Sequence, residues 1–187
     1  MAGTSEVLSS IKVVPGVSYP VLVPNQKGLL SLLDLRRGKQ KSPPPTDEIA
    51  IFVAASESFS KANINCSIAE SLDRVRPVVE MAQSNGIRVR GYVSTVISCP
   101  YEGSIAPKKV RDVSKALIDM GCYEVSLGDT IGTGNPASMA AMLDSVISVI
   151  PPEKLAVSAD HFLTFVPRLM LLTGSCTSLT LLDFNIN

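Results

Sequence analysis

The chain has 187 residues, enough for one domain of ordinary size with a substantial hydrophobic core. Hydrophobic residues make up 45% of it and charged residues 18%, which excludes an intrinsically disordered chain. The 17 basic residues equal the 17 acidic ones, so the net charge favours neither nucleic acid nor an anionic membrane as a partner. No apolar run has the length of a membrane span, so we expect no membrane partner.

The cysteines and histidines limit the kinds of site that the chain can form alone. Its four cysteines contain no CxxC pair, which gives no signal for zinc or for a redox motif. Because the chain has a single histidine, we expect neither a self-contained zinc site nor a Ser-His-Asp site. No Arg-rich presequence opens the chain. We therefore expect an intracellular soluble protein with reduced thiols.

Five short apolar runs predict β-strands that begin roughly 30 to 40 residues apart, the length of a strand–helix–strand unit. Most of the runs are continuous rather than alternating, as expected of parallel strands covered on both faces. The predicted strands are residues 19–23, 48–54, 88–93, 124–127 and 155–157. Repeated β-α-β units leave two architectures open at this stage, a doubly wound sheet and a (β/α)8 barrel.

The helices between these strands have clear start and stop signals. Ser67 and Glu70 have the spacing of a capping box, in which each side chain satisfies an amide of the other residue. Pro107 suits the first turn of the next helix, and Gly121 suits its left-handed C-terminal cap. Asn135, followed by proline, predicts the N-cap of a third helix.

Two stretches break this pattern. Residues 29–47 combine a basic cluster with a run of prolines, and we expect a solvated, partly polyproline loop there. The basic cluster could contact phosphate, but a flexible surface loop is the simpler interpretation. Residues 158–187 have few charges and no helical periodicity. We therefore divide the chain into an α/β domain over residues 1–157 and a divergent tail over 158–187.

Polar and reactive residues follow the predicted strands at their carboxyl ends, where an α/β barrel builds its active site. Over residues 1–28 and 48–157 the chain resembles the hydroxymethylglutaryl-coenzyme A lyase family, whose members are pyruvate carboxyltransferase-like barrels. The segments that carry the resemblance are residues 19–28, 54–61, 63–67, Val89-Arg-Gly-Tyr-Val-Ser94, Cys99-Pro-Tyr-Glu-Gly103 and Gly121-Cys-Tyr-Glu-Val-Ser-Leu-Gly-Asp-Thr-Ile-Gly132.

The resemblance implies an α/β fold, a partial (β/α)8 TIM barrel with about five of its eight parallel strands. It implies cleavage of hydroxymethylglutaryl-coenzyme A to acetyl-coenzyme A and acetoacetate, a step of leucine catabolism and ketone-body formation. Family members use Mg²⁺ or Mn²⁺, which stabilises the negative charge that develops on the reacting oxygens. The implied partner is an acyl-coenzyme A, and the implied compartment is the mitochondrial matrix.

The resemblance also assigns a catalytic carboxylate and a neighbouring hydroxyl. Asp129 matches an active-site carboxylate that positions or transfers a proton. Its alternative role is structural, as an aspartate that opens the following turn. Thr130, the next residue, is expected to bind substrate.

Four further residues match positions that line the substrate pocket. Arg90 and Tyr92 lie on one predicted strand, and without the resemblance Arg90 would read as a solvated charge at a strand edge. Asn63 and Asn65 lie in the connection after another strand, where local turn formation is an equal alternative. Cys99, in a later loop, is expected to be structural rather than nucleophilic.

The sequence departs from the family at the metal. None of the family's four protein ligands to the metal ion has a counterpart, so no metal-binding residue is assigned. Asp160 and His161 follow the last predicted strand, but their spacing differs from that of the family's ligands. The alternative function is therefore a non-catalytic polypeptide that binds an acyl-coenzyme A or a full-length lyase subunit. We also expect association into a homo-oligomer or with a full-length lyase.

Overall fold

The computed structural model describes residues 4–14, 16–38 and 46–158. Its strands are β1 (Val21–Leu22), β2 (Glu48–Ala54), β3 (Arg88–Ser94), β4 (Ser98–Cys99), β5 (Gly103–Ser104), β6 (Glu124–Gly128) and β7 (Leu155–Ser158). Five of them form one parallel sheet in the order β1-β2-β3-β6-β7, and β4 pairs with β5 in a small antiparallel hairpin. The five predicted parallel strands are therefore confirmed, although β1 is shorter than expected.

One helix precedes the first strand of the main sheet, and the others lie in the connections between its strands. The helices are α1 (Thr4–Ser10), α2 (Gln26–Gly38), α3 (Glu57–Ile64), α4 (Ile68–Ser84), α5 (Pro107–Met120) and α6 (Pro136–Ile147), with a 3₁₀ turn at Pro152–Lys154. The predicted capping box of α4, the left-handed glycine cap of α5 and the asparagine N-cap of α6 are all present. None of the described helices is both long and apolar enough to cross a membrane.

The prediction of a loop over residues 29–47 is wrong for its first part, which belongs to α2. Leu29, Leu32 and Leu33 are buried in the core, and their spacing places them on one helical face. The free energy gained by burying these leucines is enough to form the helix, although basic residues lie at its end. Residues 39–45 lie outside the described part of the chain. The same holds for 159–187, so the division at residue 157 stays a prediction.

The two faces of the main sheet differ in chemistry because successive side chains of a strand point to opposite faces. In β3, Val89, Gly91 and Val93 face the helices, and a Cβ added at Gly91 would lie 2.9 Å from Leu117 Cδ1 of α5. The alternate residues of β3, Arg90 among them, face the other side. Glycine at position 91 thus allows the close packing of α5 on the sheet.

Parallel pairing also sorts the strands by end. Glu48, Arg88 and Glu124 mark the starts of three neighbouring strands, and we call this side of the sheet the amino edge. The same strands stop on the opposite side, which we call the carboxyl edge, where β3 ends at Ser94 and β6 ends at Gly128. Residues that follow the strands meet at the carboxyl edge.

Candidate active site at the carboxyl edge

Asp129 follows β6 directly and lies at the carboxyl edge, buried with 7% of its surface exposed. Its backbone N–H donates to the Ser158 carbonyl at the end of β7, 3.0 Å away. Its side-chain Oδ2 accepts a hydrogen bond of 2.7 Å from the Gly134 N–H. Its Oδ1 is buried and has no hydrogen-bond partner among the described residues. One carboxylate oxygen is therefore fixed by the backbone, and the other is buried without a partner among the described residues.

Thr130 shares with Asp129 the connection between β6 and α6, residues 129–135, which we call the Asp129 loop. The Thr130 Oγ1 accepts a 2.8 Å hydrogen bond from the Thr95 N–H, which lies just after β3. The same hydroxyl lies 3.4 Å from the Gly128 carbonyl, to which it donates. The structure thus brings Thr130 to the predicted site, with its hydroxyl already engaged by protein atoms.

Tyr92 lies in the middle of β3, on the face that does not contact α5, and is paired in register with Phe52 and Ser126 of the neighbouring strands. It precedes Ser94 on the same face by two residues, which is about 7 Å along a strand. Burial raises the pKa of the Tyr92 phenol, so the hydroxyl is neutral and able to donate a hydrogen bond at neutral pH. This position lies below the carboxyl edge.

Arg90 lies nearer the amino edge, about 13 Å along the strand from Ser94. Its guanidinium contacts Glu48 Oε1 at 3.0 Å and Glu124 Oε1 at 2.9 Å, and it donates to the Tyr123 hydroxyl at 2.8 Å. Burial alone would lower the pKa of Arg90, but the hydrogen bond to Tyr123 and the two carboxylates raise it. The structure therefore does not bring Arg90 to Asp129, and its predicted contact with substrate stays a prediction.

Asn63 and Asn65 are both exposed and lie at the end of α3. Asn65 adopts a left-handed conformation with φ of 52°, and its N–H caps the helix by donating to the Lys61 carbonyl at 3.1 Å. This is the turn-forming role that the sequence left open for Asn65. Helix capping alone accounts for the conformation of Asn65. The role in substrate binding that the resemblance implies for Asn63 and Asn65 stays a prediction.

A second polar cluster joins the loops that follow β2 and β4. The Glu102 Oε1 accepts from the Ser58 N–H at 2.6 Å and from the Ser56 hydroxyl at 2.9 Å. These hydrogen bonds, led by that from the Ser58 backbone, lower the pKa of Glu102 to about 2. Ser56 also lies 3.0 Å from the buried Cys99 sulfur. The cluster fixes the start of α3, and Cys99 is buried within it, while its expected structural role stays a prediction.

Sequence reasoning missed the residues that hold Asp129 in place. Gly134 is one of them: a Cβ there would lie 2.7 Å from Asp129 Oδ2, so a side chain would obstruct the carboxylate. The signal was present in the small residues Gly132 and Gly134 that follow the aspartate. Thr95 gave no signal, because its positive φ of 59° is uncommon for a β-branched residue.

Among the residues that the structure describes, the metal-ligating residue types do not come together. Within residues 4–14, 16–38 and 46–158, no group of three or more His, Cys, Asp or Glu side chains could hold a metal ion. Divalent cations such as Mg²⁺ and Mn²⁺ need several oxygen donors around them. The donors that the structure describes therefore do not fit such an ion by themselves, and Asp129 supplies a single carboxylate.

A family model described as HMGL-like matches residues 34–162. The chain belongs to the HMGL-like family. The cytoplasmic 3-hydroxy-3-methylglutaryl-CoA lyase of Rattus norvegicus is 55% identical to it over 157 residues, which are 84% of this chain and 43% of that protein. The mitochondrial hydroxymethylglutaryl-CoA lyase of Bos taurus is 52% identical over 84% of this chain and 46% of its own length.

The fold agrees with this HMGL-like assignment. The crystal structure of the HMG-CoA lyase from Brucella melitensis superposes with a TM-score of 0.81 at 44% identity, covering 93% of this chain and 59% of that one. The resemblance to HMG-CoA lyases and the partial TIM-barrel fold are therefore confirmed. The chain spans less than half the length of the two curated relatives named above. The matched range begins within α2, in the stretch that the sequence alone marked as divergent.

Proposed function

We propose that this chain acts in the reaction for which its relatives are named, the cleavage of hydroxymethylglutaryl-coenzyme A to acetyl-coenzyme A and acetoacetate. The observation that carries the proposal is the Asp129 carboxylate, which is buried at the carboxyl edge with Oδ2 held and Oδ1 without a partner among the described residues. In a barrel enzyme this edge is where substrates are bound and converted. The proposed partner is accordingly an acyl-coenzyme A.

The proposed step begins at the tertiary hydroxyl of the substrate. The hydroxyl loses its proton, the electron pair of its O–H bond forms the ketone of acetoacetate, and the neighbouring carbon–carbon bond breaks. The electron pair of that bond passes to the acetyl-coenzyme A carbon as an enolate, which then takes up a proton. We assign the holding or transfer of the proton to Asp129 Oδ1, because Oδ2 is engaged by Gly134.

Tyr92 has a supporting role in this proposal. Its neutral phenol lies on the face of β3 that does not contact α5, below the carboxyl edge, where it can border the acyl part of a substrate. The Mg²⁺ or Mn²⁺ that the resemblance implies has no ligands assigned among the described residues, so no step is written through it. The metal enters as a variable of the experiment.

The test is the release of acetyl-coenzyme A from hydroxymethylglutaryl-coenzyme A by the purified 187-residue chain, after circular dichroism has established that it is folded. Mg²⁺, Mn²⁺ and a chelator are compared. Asp129→Asn keeps the shape of the side chain but removes its basicity, and we expect about a 100-fold or larger loss of turnover. The matched control is Asp119→Asn, on the exposed surface of α5, which should leave turnover unchanged.

Absence of turnover from folded chain with either metal would overturn the proposal, as would full activity of Asp129→Asn. Size-exclusion chromatography of the same sample tests the expected homo-oligomer, and mixing with a full-length lyase tests association with it.

Relatives carry both cytoplasmic and mitochondrial names. We propose the mitochondrial matrix, which the resemblance implies, and cell fractionation distinguishes it from the cytoplasm.

A further inference from the structure

The Asp129 loop is tied to the loop that follows β3 at two points. The Thr95 N–H donates to Thr130 Oγ1 at 2.8 Å, and the hydroxyls of Ser98 and Thr133 are in hydrogen-bond contact. Both ties connect residues about 35 positions apart in the chain, so they join separate β-α units rather than stabilising one turn. The loop that carries the proposed catalytic carboxylate is thus held by residues that follow a neighbouring strand.

Thr95 is the anchor of the first tie. It is completely buried, and its positive φ of 59° is uncommon for a β-branched residue. Its own hydroxyl donates to the Ser94 carbonyl at 2.6 Å, which satisfies the side chain locally. Such a conformation persists only where surrounding contacts hold it, and here it directs the Thr95 N–H at Thr130.

The hydroxyl of Thr130 is largely used by these contacts. A hydroxyl has one proton to donate and two lone pairs with which to accept. The proton is directed to the Gly128 carbonyl, and one lone pair accepts from Thr95. Little capacity remains for a substrate, which argues against the direct contact that the resemblance implies for Thr130.

We infer that Thr130 is a positioning residue: it latches the Asp129 loop to the loop after β3, so that Gly134 can hold Asp129 Oδ2 and Oδ1 stays without a protein partner among the described residues. This inference rests on the proposed function, because it assigns Thr130 a part in that same site. Gly134 also contributes to the position of Asp129, because its lack of a side chain lets its backbone lie close to the carboxylate. A Cβ at this position would lie 2.7 Å from Asp129 Oδ2 and 3.2 Å from Met139 Cε.

The first test replaces Thr130 in the complete chain. Thr130→Val keeps the shape of the side chain and removes the hydroxyl, and Thr130→Ser keeps the hydroxyl. For a positioning residue, the valine variant should lower kcat about 10- to 100-fold with KM within about twofold, and serine should restore kcat. Loss of a direct substrate contact would instead raise KM with little change in kcat.

The second test perturbs the carboxylate without touching the latch. Gly134→Ala should also lower kcat at nearly constant KM, since its methyl group displaces Asp129 Oδ2. Gly28→Ala is the matched control, because a Cβ there meets no atom closer than 3.6 Å. Its kcat should equal that of the unmodified chain. This variant pair keeps the inference testable if Thr130→Val does not fold.

The third test does not depend on activity. Amide hydrogen exchange by NMR is measured at Thr95 and Gly134, with Ile51 of β2 as the internal reference. Thr130→Val should accelerate exchange at Thr95 and Gly134 at least tenfold and leave Ile51 unchanged. Unchanged exchange at both amides would overturn the latch, as would a raised KM with normal kcat. If the folded, unmodified chain shows no turnover, the proposed function is refuted but the inference about Thr130 is not. The hydrogen-exchange rates at Thr95 and Gly134 then decide whether Thr130 latches the loop.

Discussion

Replacing Arg90 with glutamine tests whether the amino edge is held together by buried charge. The Arg90 guanidinium is 11% exposed and lies between the carboxylates of Glu48 and Glu124, which are 1% and 12% exposed. Removing one partner of a buried ion pair leaves an uncompensated charge and costs about 3–5 kcal/mol. Arg88, which is half exposed, stays as the other cation near Glu48. We therefore expect Arg90→Gln to lose about 3–5 kcal/mol of unfolding free energy.

Urea denaturation followed by circular dichroism measures this loss. With a denaturant slope of about 2 kcal/mol per molar, the midpoint should fall by about 2 M. Glu48→Gln combined with Arg90→Gln removes both charges, and it should be more stable than the sum of the single variants predicts by about 0.5–3 kcal/mol. Arg111→Gln is the control, because its ion pair with Asp112 is at the surface and should contribute at most about 1 kcal/mol.

An Arg90→Gln variant within about 1 kcal/mol of the unmodified chain would refute this reasoning. So would strict additivity of the Glu48 and Arg90 substitutions, since it would mean that the two charges do not interact. A normal unfolding free energy together with a raised KM would instead support the substrate contact predicted for Arg90. The same variant thus separates the structural role from the binding role.

Three further substitutions test the packing, the electrostatics and the helix caps. Gly91→Ala forces a methyl group to 2.9 Å from Leu117 and should destabilise the fold by about 1–3 kcal/mol in thermal unfolding, whereas Gly28→Ala should not. Glu102 has its pKa lowered to about 2 in the folded chain, from an ordinary value of 4.5, so its stabilisation is complete above pH 4.5 and lost as the pH falls toward 2. Glu102→Gln should accordingly lower Tm at pH 7, and the difference from the unmodified chain should shrink below pH 4.5; a constant difference would contradict this account. Ser67→Ala removes the capping box of α4 and should cost about 0.5–2 kcal/mol in urea denaturation, and a change below 0.2 kcal/mol would show that the cap is dispensable.

Much of the fold could be predicted because its signals are local. Continuous apolar runs identified the strands of the main sheet, and single residues such as Ser67 and Gly121 marked the ends of helices. Helix α2 was missed because the basic residues and prolines after Leu33 obscured a stripe of leucines whose burial decides the structure. Tertiary burial is not visible in a local pattern of charge.

The candidate site could be predicted only in part. Asp129 was singled out by the family resemblance, and its place directly after a strand predicted that it would lie at the carboxyl edge, where the structure has it. The position of Arg90 depends on register: β3 pairs it with Glu124, which gives a buried arginine a carboxylate neighbour at the amino edge. The conformation of Thr95 could not be predicted, since sequence preferences argue against it.

The strand order of the main sheet bears on how the chain folds during synthesis. Each strand of the sheet pairs with the strand of that sheet that precedes it in the chain, from β1 through β2, β3 and β6 to β7. A newly made strand therefore finds its neighbour already synthesised, and no pairing waits for a distant segment. Each pairing therefore closes a loop of one β-α unit, which costs less chain entropy than a pairing between more distant segments. The sheet can grow one β-α unit at a time as the ribosome delivers it.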